Sequence, residues 1–250
     1  MHFIYADNAA TTRLSDTALE AMLPYLREEY GNASTLYKLG RSAHNAVASA
    51  RRTFADGIRA IPAEIFFTSG GTESDNWAIK GTAHRLARLG KRHIVTDNIE
   101  HHAVLNSVSA LAREGFEITY VKADADRVVP PQAIRAAIRP DTALVSVMFA
   151  NNELGTIQPV AEIGRICRSA GVLFHCDAVQ AAGILPIDVQ AMNIDLLSMS
   201  AHKFHGAKGV GVLYARRGCV PEAYMDGGEQ EYHHRAGTEN VAGIVGAAAA

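Results

Sequence analysis

From residue 64 onward, short apolar segments alternate with amphipathic ones. The apolar segments are rich in Ile, Val and Phe, and they lie at residues 64–68, 93–96, 117–122, 143–149 and 172–176. Helical patterns lie between them, at residues 73–89, 102–114, 131–138 and 160–170. This alternation predicts an α/β fold, with a mostly parallel sheet covered by helices on both faces. Since such sheets bind ligands beyond the carboxyl ends of their strands, functional residues are expected directly after strands.

Length and composition exclude several classes of protein. A chain of 250 residues with 48% hydrophobic residues can bury one large core. A formal net charge of −2, with no long run of either sign, does not indicate binding to nucleic acid or to a membrane surface. No apolar run is long enough to span a bilayer, and residues 1–7 resemble no targeting peptide. The cysteines have no metal-ligand spacing, so we expect reduced thiols in a cytoplasmic protein.

A glycine-rich loop joins two further apolar runs, at residues 194–199 and 210–214. It contains Ser200, His202 and Lys203. A lysine that is partly desolvated at the rim of a sheet has a lowered pKa and can act as a nucleophile. Two interpretations are open at this point: a lysine that binds pyridoxal phosphate (PLP) covalently, or an ordinary turn with a solvated lysine.

A second glycine-containing loop, residues 68–76, follows the first strand and opens onto a helix. Free backbone N–H groups and the helix dipole at such a position favour an anion, and a phosphate fits. The alternative is that Ser69 and Thr72 only cap the helix.

Polar side chains also follow the second and fourth strands. His101 and His102 diverge by about 100° on a helix, so they do not readily chelate one metal; His101 can instead stack on a flat ligand or belong to a surface pair. Asn151 and Asn152 either tie a turn or bind a ligand.

Asp177 ends the fifth strand, three residues before Gln180. A carboxylate at the end of an apolar strand is costly to bury unless it meets a cation or several donors. A protonated pyridine nitrogen and a nearby arginine are the two candidate partners.

The last residues form a polar, Gly-rich segment and then an apolar run. Residues 227–240 are expected to form an exposed loop, in which Arg235 and Thr238 can bind an anion. Asn240 or Thr238 caps a final helix over 241–250. That run ends without a cap or polar tail, so we expect a truncated sequence.

Six motifs together resemble the PLP-dependent cysteine desulfurases of aminotransferase class V, which have the fold type I of PLP-dependent transferases. They cover the chain from Tyr5 to its end and lie at residues 7–12, 68–76, 100–102, 177–180, 200–203 and 235–240. The resemblance implies conversion of L-cysteine to L-alanine. The sulfur passes to an iron–sulfur scaffold or a tRNA-thiolation protein.

The resemblance also implies a role for each matching residue. Lys203 holds PLP and moves protons, and Asp177 pairs with the ring nitrogen. His101 stacks on the ring and assists acid–base steps, Gln180 bonds the phenolic oxygen, and Asn152 positions the substrate carboxylate.

The phosphate contacts implied by the resemblance come from two loops and a partner subunit. Thr72, Ser200, His202 and the backbone near Gly71 hold the phosphate. Thr238 reaches it across a homodimer interface.

The same resemblance implies a domain division and a missing part. Residues 1–14 belong to a small domain, residues 15–250 form the large PLP-binding domain, and the C-terminal part of the small domain is absent. The nucleophilic cysteine and a carboxylate-binding arginine lie beyond residue 250, so this form is expected to be inactive alone. Cys167 and Cys176 are expected in the core, whereas Cys219 follows the last strand, where a side chain can be exposed.

Three other functions are compatible with parts of the pattern. A selenocysteine lyase or another class V enzyme has the same PLP-binding residues, and a non-catalytic PLP-binding scaffold keeps the fold. A metal-binding protein is disfavoured, because no His/Cys spacing matches a closed site.

Overall fold

The computed structural model describes residues 4–250, and Met1–Phe3 lie outside the described residues. The strands are β1 (Ile65–Thr68), β2 (His93–Asp97), β3 (Glu117–Val121), β4 (Thr142–Ser146), β5 (Leu173–Asp177), β6 (Leu196–Ser200) and β7 (Gly211–Ala215). They form one sheet of seven strands in the order β1-β7-β6-β5-β4-β2-β3. β7 pairs antiparallel with both β1 and β6, and the other described pairs of strands are parallel. The predicted mostly parallel sheet is confirmed.

The helices follow the predicted periodicity closely. They are α1 (Asp16–Arg27), α2 (Lys38–Gly57), α3 (Gly71–Asn76), α4 (Thr82–Ala87), α5 (His102–Arg113), α6 (Pro131–Ala137), α7 (Val160–Ala170), a short turn α8 (Gln230–His233) and α9 (Val241–Ala249). The helix predicted at 73–89 is α3, one π-helical turn (Trp77–Gly81) and α4. Asn240 caps α9, because its side-chain oxygen accepts the N–H of Gly243 at 3.1 Å.

Helices cover both faces of the sheet, as the strand composition predicts. In β7, Val212 and Tyr214 pack into one core with residues of α2, α7 and α9. Leu213 and Ala215 point the other way and pack with residues of the π-helical turn, α4 and α5. This alternation is the period of two that a strand imposes on its side chains.

The segment before α1 lies across the loop that follows β6. The N–H of Thr12 donates to the carbonyl of His202 at 2.8 Å, and the N–H of Ser15 donates to that of His205 at 3.0 Å. The division into 1–14 and 15–250 stays a prediction. Within residues 4–250, no helix has the length and apolar character needed to cross a membrane.

Candidate active site

A cavity of about 280 Å³ opens at the carboxyl ends of the central strands. Its wall comes from the residues that follow β1, β2, β4, β5 and β6, the position expected for a ligand of a parallel sheet. All the predicted site residues except Thr238 line it: Gly71, Thr72, His101, Asn152, Asp177, Gln180, Ser200, His202 and Lys203.

Lys203 ends a 3₁₀ turn, Ala201–Lys203, directly after β6. Its Nζ donates to the carbonyl of Ala9 and, at 2.9 Å, to that of Ala10. Burial lowers the pKa of Lys203, although the negative charges of Asp177 and Asp7 oppose the shift. The amine is therefore held in place and loses its proton more easily than a solvated lysine, as a nucleophile requires.

Asp177 is the buried last residue of β5. Its Oδ1 accepts the N–H of Val179 at 2.9 Å. Burial, and then the nearby carboxyl of Asp75, raise the pKa of Asp177 to about 7. No ion pair among residues 4–250 involves Asp177. The alternative of an arginine partner is therefore wrong for the chain as described.

The loop between β1 and α3 is open at the start of the helix. Gly70 occupies the N-cap position without a side-chain cap, and the Ser69 hydroxyl donates to Glu73 instead. A Cβ at Gly71 would lie 2.6 Å from Cγ2 of Val179, so only glycine fits there. The capping alternative is wrong, and the free N–H groups favour an anion at this end of the cavity.

Two histidines of the cavity have one ring nitrogen engaged. The N–H of Ala103 donates to Nδ1 of His101 at 3.1 Å, so the neutral ring carries its proton on Nε2. Nδ1 of His202 lies 3.0 Å from the hydroxyl of Thr11. Burial, with the charges of Lys203 and Lys208, lowers the pKa of His202. Both rings are thereby oriented, and His202 is held in its neutral form.

Of the amide side chains that follow β4 and β5, one stabilises a turn and the other two line the cavity. Asn151 ties the turn, because its Oδ1 accepts the N–H groups of Glu153 and Leu154 at 2.9 and 2.8 Å. Asn152 lines the cavity. Nε2 of Gln180 donates to the carbonyl of Ala9 at 2.9 Å, the same oxygen that Lys203 contacts.

Thr238 and Arg235 lie outside the cavity, in the wall of a neighbouring one. Arg235 forms a bidentate pair with Glu73, with distances of 2.7 and 3.1 Å. Its charge is thus compensated within the chain, which weakens its predicted role in binding an anion. The role predicted for Thr238 requires a second copy of the chain and stays a prediction.

The three cysteines are all buried. Cys167 and Cys176 belong to the core, as predicted. The exposure considered for Cys219 is wrong, since its side chain is only 7% exposed.

The sequence pattern assigned no role to Asp75, in the motif at 68–76, or to Lys208, in the glycine-rich loop after residue 199. Asp75 lines the cavity, and Lys208 lines an adjoining cavity with Thr72 and Ser200. The position of Asp75 three residues after Thr72 in a helix was the available signal, because such residues share a face.

Two relatives named as cysteine desulfurase IscS match nearly the whole chain. The protein from Methanosarcina thermophila is 54% identical over 243 residues, which are 97% of this chain and 60% of the relative. The protein from Anaeromyxobacter dehalogenans is 55% identical over 246 residues, which are 97% and 61% of the two chains. The chain therefore spans about three fifths of the length of these curated relatives.

Solved structures and a family profile agree with these relatives. A NifS-like protein superposes with a TM-score of 0.96 at 44% identity, covering 99% of this chain and 68% of the other. A structure described as SspA in complex with cysteine gives 0.95 at 41% identity, covering 98% and 71%. The profile described as aminotransferase class-V matches residues 4–250. The chain belongs to the aminotransferase class-V family.

Proposed function

We propose that this chain is the cofactor-binding part of a cysteine desulfurase, which converts L-cysteine to L-alanine and passes the sulfur to an acceptor thiol. The observation that carries the proposal is one cavity with the amine of Lys203 and the buried acid of Asp177, which forms no ion pair among residues 4–250. Members of this family are PLP-dependent, and a neighbour of this fold is described in complex with cysteine.

The cavity residues fit the three reactive parts of PLP. The ring nitrogen, when protonated, is the cation that Asp177 lacks. The aldehyde matches the amine of Lys203, and the phosphate matches the loop at Gly71 and Thr72. When bound, PLP supplies an electron sink that accepts negative charge from the substrate carbon next to the amino group.

The residues of the chain then bind, orient and move protons. Lys203 Nζ would hold the cofactor and would carry a proton to and from the substrate, a task that its lowered pKa favours. Asp177 keeps the ring nitrogen protonated. His101, with a donor at Nε2, would stack on the ring, Gln180 would bond the phenolic oxygen, and Asn152 would position the substrate carboxylate.

The phosphate is held from two loops and from a second copy of the chain. Thr72 and Ser200 supply hydroxyl groups and His202 a neutral ring on the phosphate side. Thr238 lies outside this cavity in its own chain. We therefore assign it to the phosphate of a partner subunit in a homodimer, which stays a proposal.

The acceptor thiol is not one of the three cysteines of this chain. Burial raises the pKa of Cys167 to about 12 and also raises those of Cys176 and Cys219, so none is a ready thiolate. In the proposed step the C–S bond of L-cysteine breaks, an S–S bond forms to the acceptor thiol, and a proton ends on the carbon that sulfur leaves. The sulfur then serves an iron–sulfur scaffold or tRNA thiolation in the cytoplasm.

The test is a titration of the PLP-loaded chain with L-cysteine, followed by visible absorption. We expect a saturable spectral change with L-cysteine and none with D-cysteine. Because the three thiols are buried, we expect neither persulfide on them nor sustained sulfide release. Absence of any response to L-cysteine contradicts the proposal, and a response to L-selenocysteine alone favours a selenocysteine lyase.

A further inference from the structure

A second carboxyl lies in the wall of the cavity beside Asp177. Asp75 is only 1% exposed, and it lines the cavity. Its Oδ1 accepts no hydrogen bond from any described residue. A buried, unpartnered carboxylate oxygen at a ligand cavity is costly unless the ligand or a proton compensates it.

The nearest charged candidate does not compensate Asp75. Nε2 of His175 lies 3.5 Å from Asp75 Oδ1, but the ring is already bonded to Ser146 at 2.9 Å and Ser198 at 3.1 Å. Burial lowers the pKa of His175 to about 4, so the ring is neutral at physiological pH. No lysine or arginine within residues 4–250 forms an ion pair with Asp75.

Asp177 is faced by charged or titratable groups from every element around it. Asp75 lies on α3, Glu100 and His101 lie between β2 and α5, and His175 is on the same strand. Lys203 carries a positive charge near Asp177. Burial raises the pKa of Asp75 to about 7, a shift that the hydroxyl of Ser198 partly opposes. Asp75 is in turn the second cause, after burial, of the raised pKa of Asp177.

We propose that Asp75 is a positioning residue that acts through Asp177. Two neighbouring carboxyls that share a buried site bind their protons in coupled steps, because both cannot ionise freely. The negative charge of Asp75 strengthens the hold of Asp177 on a proton, and therefore the hold of the pair on a protonated ring nitrogen. The part of the inference that concerns the ring nitrogen rests on the proposed function.

The first test uses the chain without PLP and follows the ¹³C signals of the aspartate carboxyl carbons against pH. In the wild-type chain we expect Asp75 and Asp177 to titrate in coupled steps, at least one well above the ordinary range. Asp75→Asn should lower the midpoint of Asp177 by roughly one pH unit. Asp75→Ala is the second variant, because an equal shift excludes an effect of the new amide. Ordinary midpoints in the wild-type chain overturn the inference.

Asp97→Asn is the matched control. Asp97 is also a buried acid, with a pKa that burial raises to about 6, but it does not line the cavity. Its removal should leave the midpoint of Asp177 in place. An equal shift in this control overturns a specific role for Asp75.

The second test loads the chain with PLP labelled with ¹⁵N at the ring nitrogen, whose chemical shift reports protonation. Asp75→Asn should move the loss of that proton to lower pH by roughly one unit, since the pair then has less negative charge. If PLP binds and the midpoint does not move, this inference alone fails. If PLP does not bind the wild-type chain, the proposed function fails with it, whatever the carboxyl titration shows.

Discussion

Two regions of this molecule contain buried acids in opposite surroundings, one with a cation and one without. At the outer edge of the sheet, both oxygens of Glu231 bond to Arg51 at 2.7 Å. Glu231 also accepts the N–H of Phe67 at 2.9 Å, and Arg51 donates to the carbonyl of Ile65. The pair thus hydrogen-bonds to backbone groups that β1, as an edge strand, would otherwise leave unpaired.

At the floor of the cavity the arrangement is the opposite. Asp75 and Asp177 line the cavity, Glu100 is buried next to His101 without lining it, and burial raises the pKa of each. None of them pairs with an arginine or lysine among residues 4–250. Buried charges that serve only the fold are normally paired. Asp177, which lines the cavity, is therefore open to a cationic ligand group, whereas the pair at the edge stabilises the fold.

The largest expected effect on stability is at the edge of the sheet, where Arg51 compensates the charge of Glu231. Arg51→Met leaves Glu231 buried without its cation, and we expect a loss of about 3–5 kcal/mol in the free energy of unfolding. The double variant Arg51→Met/Glu231→Leu should lose much less, because no charge is left unpaired. Denaturant unfolding measures both. If Arg51→Met alone lost as little stability as the double variant, Arg51 would not be needed to compensate the buried charge of Glu231.

The next effect is at the cavity floor, on binding of PLP. Asp177→Asn removes the proposed charged partner of the ring nitrogen, and a charge-assisted hydrogen bond contributes about 1.5–3 kcal/mol. We therefore expect PLP affinity to fall roughly 10- to 150-fold, measured by absorbance titration. Asp97→Asn, outside the cavity wall, is the control. Equal losses in both variants would contradict a specific site at Asp177.

The two buried acids of the cavity should also make the stability of the PLP-free chain depend on pH. The pKa of Asp75 and that of Asp177 are raised to about 7, so the folded state binds more protons than the unfolded chain between about pH 4 and that value. Stability therefore falls as the pH rises through this window. Asp75→Asn should gain about 1–2 kcal/mol at pH 8 and nothing below about pH 4. A gain that is independent of pH would contradict this account.

The smallest effect is expected at the pair between Arg235 and Glu73, whose side chains are 19% and 11% exposed and so less deeply buried than the 10% and 3% of Arg51 and Glu231. In Arg235→Gln, Glu73 keeps the N–H of Ser69 at 2.9 Å. We expect a loss of no more than about 1 kcal/mol in thermal unfolding, because partly exposed pairs contribute little. A loss as large as that of Arg51→Met would show that the depth of burial does not determine how much each ion pair contributes to stability.

Local patterns in the sequence predict most of the fold and most of the cavity wall. The strands stand out because both faces of the sheet are buried, so their apolar runs are continuous. His101, Asp177 and Lys203 could be located because each directly follows such a run.

Contacts between distant parts of the chain could not be predicted in this way. Arg51 and Glu231 are 180 positions apart, and Lys203 reaches Ala10 across 193. Neither pair has a local signal. The orientation of Asp75 likewise depends on how α3 packs against β6 and β7, which its own sequence does not determine.

The most direct test of the central claim is borohydride reduction of the PLP-loaded chain, followed by peptide mapping by mass spectrometry. The account predicts one PLP per chain, fixed on Lys203, with loss of the visible absorption band in Lys203→Ala. Label spread over exposed lysines such as Lys208, or a band that persists in Lys203→Ala, would contradict it.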